Sequence, residues 1–221
     1  MTASDEQQLS RAYAFLRSAG TSAIPHGTRH GSLEHGSFND HLRGTHDVLA
    51  RWGYSRPVCL AGAFHSIYGT EGFRGFILDL TERPRVANII GEHAERLAFL
   101  NCAMERGSLD RLVHAHAVSG LRLNDPPVGK LRSRCEPKLG LSGDEEFSLD
   151  GRSFPDMLAL HLADFAEGYA NNQAYRGGVR FLRHAGDRGQ PGYWAVPEGG
   201  WWSYRGEHYI NFAKLLGGVS T

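Results

Sequence analysis

Apolar positions recur at steps of three and four along most of the chain, the spacing of one helix face rather than of a strand. Residues 4–19 read as a surface helix with Leu9, Ala12, Tyr13 and Leu16 in one stripe. Ser4 can cap it, and Asp5 and Glu6 suit a first turn whose dipole favours negative charge; Gly20 ends it. Residues 21–37 carry no period and read as a loop. A second helix is predicted over 38–52, with Phe38, Leu42, Thr45, Val48, Leu49 and Trp52 on one side and Gly53 just past its end. Pro57 opens a third helix over 57–68 that is apolar almost all round, which places it inside a bundle. Pro84 opens a long fourth helix running to about Arg106, with Val86, Ile89, Ile90, Leu97, Leu100 and Met104 inward. A short fifth follows over 108–118, opened by Ser108, and Ser153 caps a sixth over 154–170.

Between the fifth and sixth helices, residues 119–152 are rich in Gly, Pro and charge. "GLRL" and "EFSLDGRSF" suggest a small hairpin there. After the sixth come a loop, a strand at "GYWAV" and a last helix near 204–216. The expected fold is all-α: one domain over 1–221, its core at about 38–170, with a small irregular or β insertion and a C-terminal cover over 171–221. The aromatic run "GGWWSYRGEHYINF" suits a cover, a homodimer contact or one wall of a pocket.

Composition narrows the partners. Lys+Arg and Asp+Glu are both 24, so no basic excess is at hand to neutralise phosphates, and nucleic acid is not expected. No apolar run approaches the roughly 18–20 residues of a bilayer span, and the polar, acidic start does not read as a signal peptide, so no membrane partner is expected. Three widely separated cysteines fit neither a disulfide framework nor a zinc knuckle, which points to a reducing cytoplasm. There is no Walker loop, Rossmann glycine pattern or nucleophile elbow.

The twelve histidines change the picture most. His41 lies on the line Thr45, Val48, Trp52 and so faces the core. His46, about 140° away at roughly 100° per residue, does not, so the literal His46-Asp47 pair reads as a decoy. His65 sits in a helix without a polar face. His93 continues Val86, Ile90, Leu97 and Leu100; His116 continues Leu109, Leu112 and Val113, while His114 points elsewhere. His161 lies with Met157, Leu158 and Phe165, and Asp164 is its neighbour three residues on. A single inward histidine is usually a hydrogen-bonded core residue. Five of them with an inward carboxylate are hard to satisfy separately, because buried polar groups need partners. One shared divalent cation would satisfy most of them, and imidazole with carboxylate suits Fe, Zn, Mn or Co.

"NDHLRGTHDVLARWG", "VCLAGAFHSIYGT" and "LALHLADFAEGY" together resemble the HD-domain superfamily of metal-dependent helical enzymes, over roughly residues 38–170. The resemblance implies a helical bundle with His41, His65 and Asp164 as metal ligands. The oxygenase branch, similar to myo-inositol oxygenase, adds two histidines between the pair and the last aspartate, a part that His93 and His116 (or His114) would take. Ser66 departs from the pattern, for the family carries there the aspartate that bridges two ions. Three outcomes stay open: one ion on His41, His65 and Asp164, a replacement carboxylate from Glu71 or Asp79, or a metal-free pocket.

Beyond His65, "YGTEGFRGF" places Tyr68, Thr70 and Glu71 as candidate acid–base groups, and Ser66, Arg74 and, on the second helix, Arg43 as candidate substrate contacts. A plain capped turn explains Gly69 and Thr70 equally well. The chain reads first as a metal-dependent enzyme of a small metabolite, with iron ahead of zinc or manganese, doing oxygenase or related lyase or isomerase chemistry. An HD-type phosphohydrolase of a nucleotide or phosphorylated metabolite comes second, and a metal-free small-molecule binder third.

Overall fold

The computed structural model describes residues 3–25, 37–122, 124–171, 179–183 and 193–197. Seven α-helices dominate those residues: α1 (Ala3–Ser18), α2 (Phe38–Arg51), α3 (Arg56–Phe64), α4 (Arg83–Ile90), α5 (Glu92–Ala103), α6 (Arg106–Val118) and α7 (Ser153–Asn171). The predicted last helix near 204–216 and most of the C-terminal cover lie outside the described residues. So does the aromatic run at 199–212.

Every residue of α3 from Val58 to Phe64 is buried, and the helix packs against α2, α5 and α7. It is the central element the all-round apolar pattern calls for. Phe64 and Leu60 meet Phe38, Leu42 and Leu49 of α2, Leu97 and Leu100 of α5, and Met157, Leu158 and Leu160 of α7 in one core. Each such side chain contributes about 1.5–3 kcal/mol when withdrawn from water. Gly62 sets the spacing: a Cβ there would lie 2.7 Å from Leu49 Cδ1 and 3.3 Å from the His46 backbone. The missing side chain lets α3 lie close on α2.

Three boundaries differ from expectation. The α3 helix stops at Phe64 rather than at residue 68, and His65 is its C-cap. Just past its end, tertiary partners satisfy the backbone carbonyls. The His65 carbonyl accepts from Asn101 Nδ2 (2.9 Å) and Cys102 Sγ (3.2 Å), and the Ile67 carbonyl accepts from the Ile77 and Leu78 N–H groups. The long fourth helix is two helices. Gly91, at φ 90° and ψ 151°, breaks it, and its carbonyl accepts the Glu95 N–H to start α5. That conformation is open almost only to glycine. Finally, Asp150 rather than Ser153 caps α7, its Oδ1 accepting from the Ser153 N–H (2.6 Å) and the Arg152 N–H (3.1 Å).

Two short nested ladders form the insertion. β1 (Leu131–Arg132) pairs antiparallel with β4 (Glu146–Phe147), and β2 (Cys135–Glu136) with β3 (Leu141–Ser142). "EF" is a strand as read; residues 120–122 of "GLRL" are not, and the strand that pairs with "EF" is Leu131–Arg132. Buried Arg134 ties this insertion to the bundle, donating from Nε to the Cys102 carbonyl (2.7 Å), from Nη1 to Glu136 (2.8 Å) and from Nη2 to the Gly69 carbonyl (3.3 Å). The strand read at "GYWAV" is β6 (Tyr193–Pro197), paired antiparallel with β5 (Val179–Arg183). Among the described residues no helix is long and apolar enough to cross a membrane.

Candidate metal centre

The centre is assembled from three elements of the bundle. His41 stands in the first turns of α2, where Ser37 and Asp40 form a capping box that fixes the helix start. His65 caps the end of α3, and Asp164 lies within α7. Their ligand-type atoms converge: His41 Nε2 is 3.1 Å from His65 Nε2, and Asp164 Oδ1 is 3.3 Å from the first and 3.2 Å from the second. His65 is fully buried, and only 6% of the His41 side chain and 12% of the Asp164 side chain reach solvent. Among the described residues this is the one group of three or more His, Cys, Asp or Glu side chains with such convergence.

The protons decide what the triangle is for. His65 Nδ1 lies 2.7 Å from the Gly62 carbonyl, which can only accept, so Nδ1 carries the hydrogen. His41 Nδ1 faces the Glu167 carboxylate and carries its hydrogen for the same reason. In neutral imidazoles both Nε2 atoms then present lone pairs, and Asp164 Oδ1 presents another. With both rings neutral, three acceptors would meet with no proton among them. A cation resolves that conflict, and a metal-bound histidine typically donates its far N–H to a carboxylate or carbonyl, as both do here. With metal–ligand bonds of about 2.1 Å, separations of 3.1–3.3 Å correspond to ligand–metal–ligand angles of about 95–105°. Such angles suit three donors on one face of an ion. His41, His65 and Asp164 lie close enough to bind a metal ion, and the donor set fits one.

Without an ion the same geometry attracts a proton. Burial alone would lower the His41 pKa, but hydrogen bonds to Asp164 and Glu167 outweigh it and raise it to about 9. Burial would raise the Asp164 carboxyl, yet His65, His41 and Arg106 beside it hold it well below the usual range.

Three contributors were not foreseen. Glu167, buried on α7 one turn past Asp164, reaches across to His41. Gly44 makes the crossing feasible: a Cβ there would meet Glu167 Cγ at 2.5 Å and Oε1 at 2.6 Å. A glycine inside a helix costs about 0.5–1 kcal/mol relative to alanine, so its presence in α2 calls for such a reason. Arg106, at the start of α6, donates from Nη2 to Asp164 Oδ2 (2.9 Å), leaving Oδ1 as the atom aimed into the triangle. The signals available were Gly44 in mid-helix and the three-residue step from Asp164 to Glu167.

The other predicted site residues are placed elsewhere. His93 pairs with Asp156 (2.7 Å), and His116 packs on Phe154 with Nε2 against the Arg122 carbonyl (2.8 Å). His161 is buried on α7 but does not belong to the converging group. His46 faces Asp47 (2.9 Å), apart from the centre as expected of a decoy. Tyr68 is buried and donates to Glu95 (3.2 Å), which Arg83 also holds at 2.6 and 2.9 Å; burial beside that carboxylate pushes the phenol up. Thr70 closes a turn, its Oγ1 accepting the Phe73 N–H (3.1 Å). Glu71 is exposed and accepts the Arg106 N–H (3.2 Å), while Asp79 caps the Thr81 N–H (2.9 Å), so neither brings a carboxylate to the triangle. Ser66 is buried next to His65, its carbonyl accepting the Gly69 N–H (3.0 Å). Arg74 pairs with Glu136 (3.0 Å), and the Arg43 guanidinium lies 5.6 Å from the Tyr13 ring centre.

The family model of a domain of unknown function, DUF6817, matches residues 15–106. The matched stretch holds His41, Gly44 and His65 and stops at Arg106, before Asp164 and Glu167. No curated protein and no solved structure matches the chain.

Proposed function

We propose that the protein is a metal-dependent enzyme of a small metabolite, with one divalent ion held by His41, His65 and Asp164. Two imidazoles and one carboxylate on a single face suit non-haem Fe(II), which makes iron the first choice and zinc or manganese the alternatives. The observation that carries the reading is the convergence of two ring nitrogens and a carboxylate oxygen, 3.1–3.3 Å apart, with the far nitrogen of each ring held by its own acceptor. The HD-like architecture suggested by the sequence is consistent with this arrangement, and Ser66 in place of the bridging carboxylate favours one ion over two.

When bound, the ion would supply Lewis acidity and, as iron, a redox centre suited to oxygenase or related lyase or isomerase chemistry. The chain does the rest. Glu167 holds the His41 ring in the tautomer that offers Nε2, and the Gly62 carbonyl does the same for His65. Arg106 turns Asp164 so that one oxygen points inward. The buried α3 end keeps bulk water from the histidine side. The two carboxylates balance a divalent ion, and Arg106 adds a positive charge, so the loaded centre favours an anionic or oxygen-donor substrate.

Metal analysis of protein purified without chelator, and after anaerobic loading with Fe(II), Zn(II) or Mn(II), tests the reading. About one ion per chain is expected, lost in His65→Ala; a wild-type protein that retains none of the three overturns it. O₂ consumption with candidate metabolites tests the oxygenase branch. Arg106 favours a second reading, a phosphohydrolase of a nucleotide or phosphorylated metabolite, because it gives a phosphate a cation beside the ion. Release of inorganic phosphate without O₂ uptake would select it.

A further inference from the structure

We propose that Glu167 is the positioning residue of this centre and that Gly44 serves to admit it, so that an α2 glycine touching neither metal nor substrate sets the metal affinity. The inference rests on the metal-centre reading above. Its basis is a three-part geometry. Glu167 is 4% exposed and leaves α7 on the face turned to α2. Its Oε2 meets His41 Nδ1, the ring atom opposite the one aimed at Asp164 and His65. Its Cγ, Cδ and Oε1 fill the space above Gly44, where an added Cβ would lie 2.5, 2.9 and 2.6 Å from them. Two of these atoms belong to the carboxylate itself, so a Cβ at Gly44 is admitted only if the carboxylate that meets His41 moves away.

The two histidines are held differently. His65 leans on a neutral carbonyl of its own helix, and that carbonyl moves only with α3. His41 leans on a charged group from a different helix. The Glu167 carboxylate therefore does two jobs: it fixes the ring about its Cβ–Cγ axis, and it makes Nε2 a stronger donor by drawing on the far N–H. It also joins α2 to α7, the helices that carry His41 and Asp164.

Four variants test this with the full chain: Gly44→Ala, Glu167→Gln, Glu167→Ala and the double Gly44→Ala/Glu167→Ala. Affinity for Zn(II) and Co(II) is measured by competition with a chromogenic chelator. The visible spectrum of the Co(II) form reports ligand geometry independently of turnover, and circular dichroism checks the fold. Gly44→Ala and Glu167→Ala are expected to weaken binding roughly 10- to 100-fold and to shift the Co(II) bands. Glu167→Gln should lose less, since its amide oxygen still accepts the Nδ1–H. The double variant should bind as Glu167→Ala does, because Gly44 acts only through Glu167. Wild-type affinity and an unchanged Co(II) spectrum in folded Gly44→Ala and Glu167→Gln overturn the inference while leaving the metal centre standing. Failure of the wild-type protein to bind either ion overturns the metal reading instead. The nearly isosteric Glu167→Gln keeps the test decisive if either alanine variant does not fold.

Discussion

On the proposed metal reading, a proton and an ion would compete for the same lone pair at one corner of the triangle, and this gives a prediction with a sign and a size. In metal-free protein the His41 pKa is raised from 6.5 to about 9. A group raised on folding stabilises the fold most below its unfolded pKa and loses that contribution as pH climbs through the folded one. The raised value corresponds to about 3 kcal/mol, present in full below pH 6.5 and nearly gone at pH 9. Chelator-treated protein should therefore lose up to about 3 kcal/mol of stability across that window. Metal binding runs the other way. Each ion must displace this proton, so apparent affinity should climb roughly tenfold per pH unit to about pH 9 and then level off. Urea unfolding at pH 6 to 10, with and without metal, measures both trends, and His41→Asn removes the contributions of other groups by difference. Metal-free stability that is flat or rising between pH 6.5 and 9, relative to that variant, would refute the reasoning.

Three further outcomes follow from the packing. Asp164→Asn should abolish metal retention while the protein stays folded, since the amide still meets Arg106; inductively coupled plasma analysis beside circular dichroism checks this. Gly91→Ala should cost about 1–3 kcal/mol, because its φ of 90° and ψ of 151° admit almost no side chain; urea midpoints give the value. Arg134→Ala should cost about 1–3 kcal/mol by leaving Glu136 with only the exposed Arg74 for a cation and freeing the insertion from the Cys102 and Gly69 carbonyls, which thermal unfolding would register.

Periodicity carried the helices and the inward lines of His41, His65 and Asp164, because those residues sit in uninterrupted runs. It misled where a run was broken. The phase drawn through Val86, Ile90 and Leu97 ignored Gly91, whose backbone resets it, and His93 on the far side faces Asp156. His116 does point inward, as its line with Leu109, Leu112 and Val113 implied, but the Arg122 carbonyl of the following loop occupies its Nε2. Two-residue strands have no period to detect, so the insertion was legible only as a region of glycine, proline and charge. Glu167 and Arg106 escaped because a charged residue near a helix end ordinarily faces water, and only the meeting of helices shows otherwise. Gly44 was visible as a weak helix former without an evident cause.

The order of the chain adds a consequence. His41 and His65 are 24 residues apart and lie on neighbouring helices, whereas 126 residues separate His41 from Glu167. A growing chain can pair its two imidazoles early, but the carboxylates arrive only when α7 has been made and has docked across the bundle. A half-built chain has a nitrogen pair that can bind soft or stray ions only weakly. On the metal reading, the complete affinity would appear only when α7 closes over α2. Tight retention of an ion would thus report completed assembly, and a chain stopped or unravelled beyond α6 would release its metal before it loses the rest of its helices.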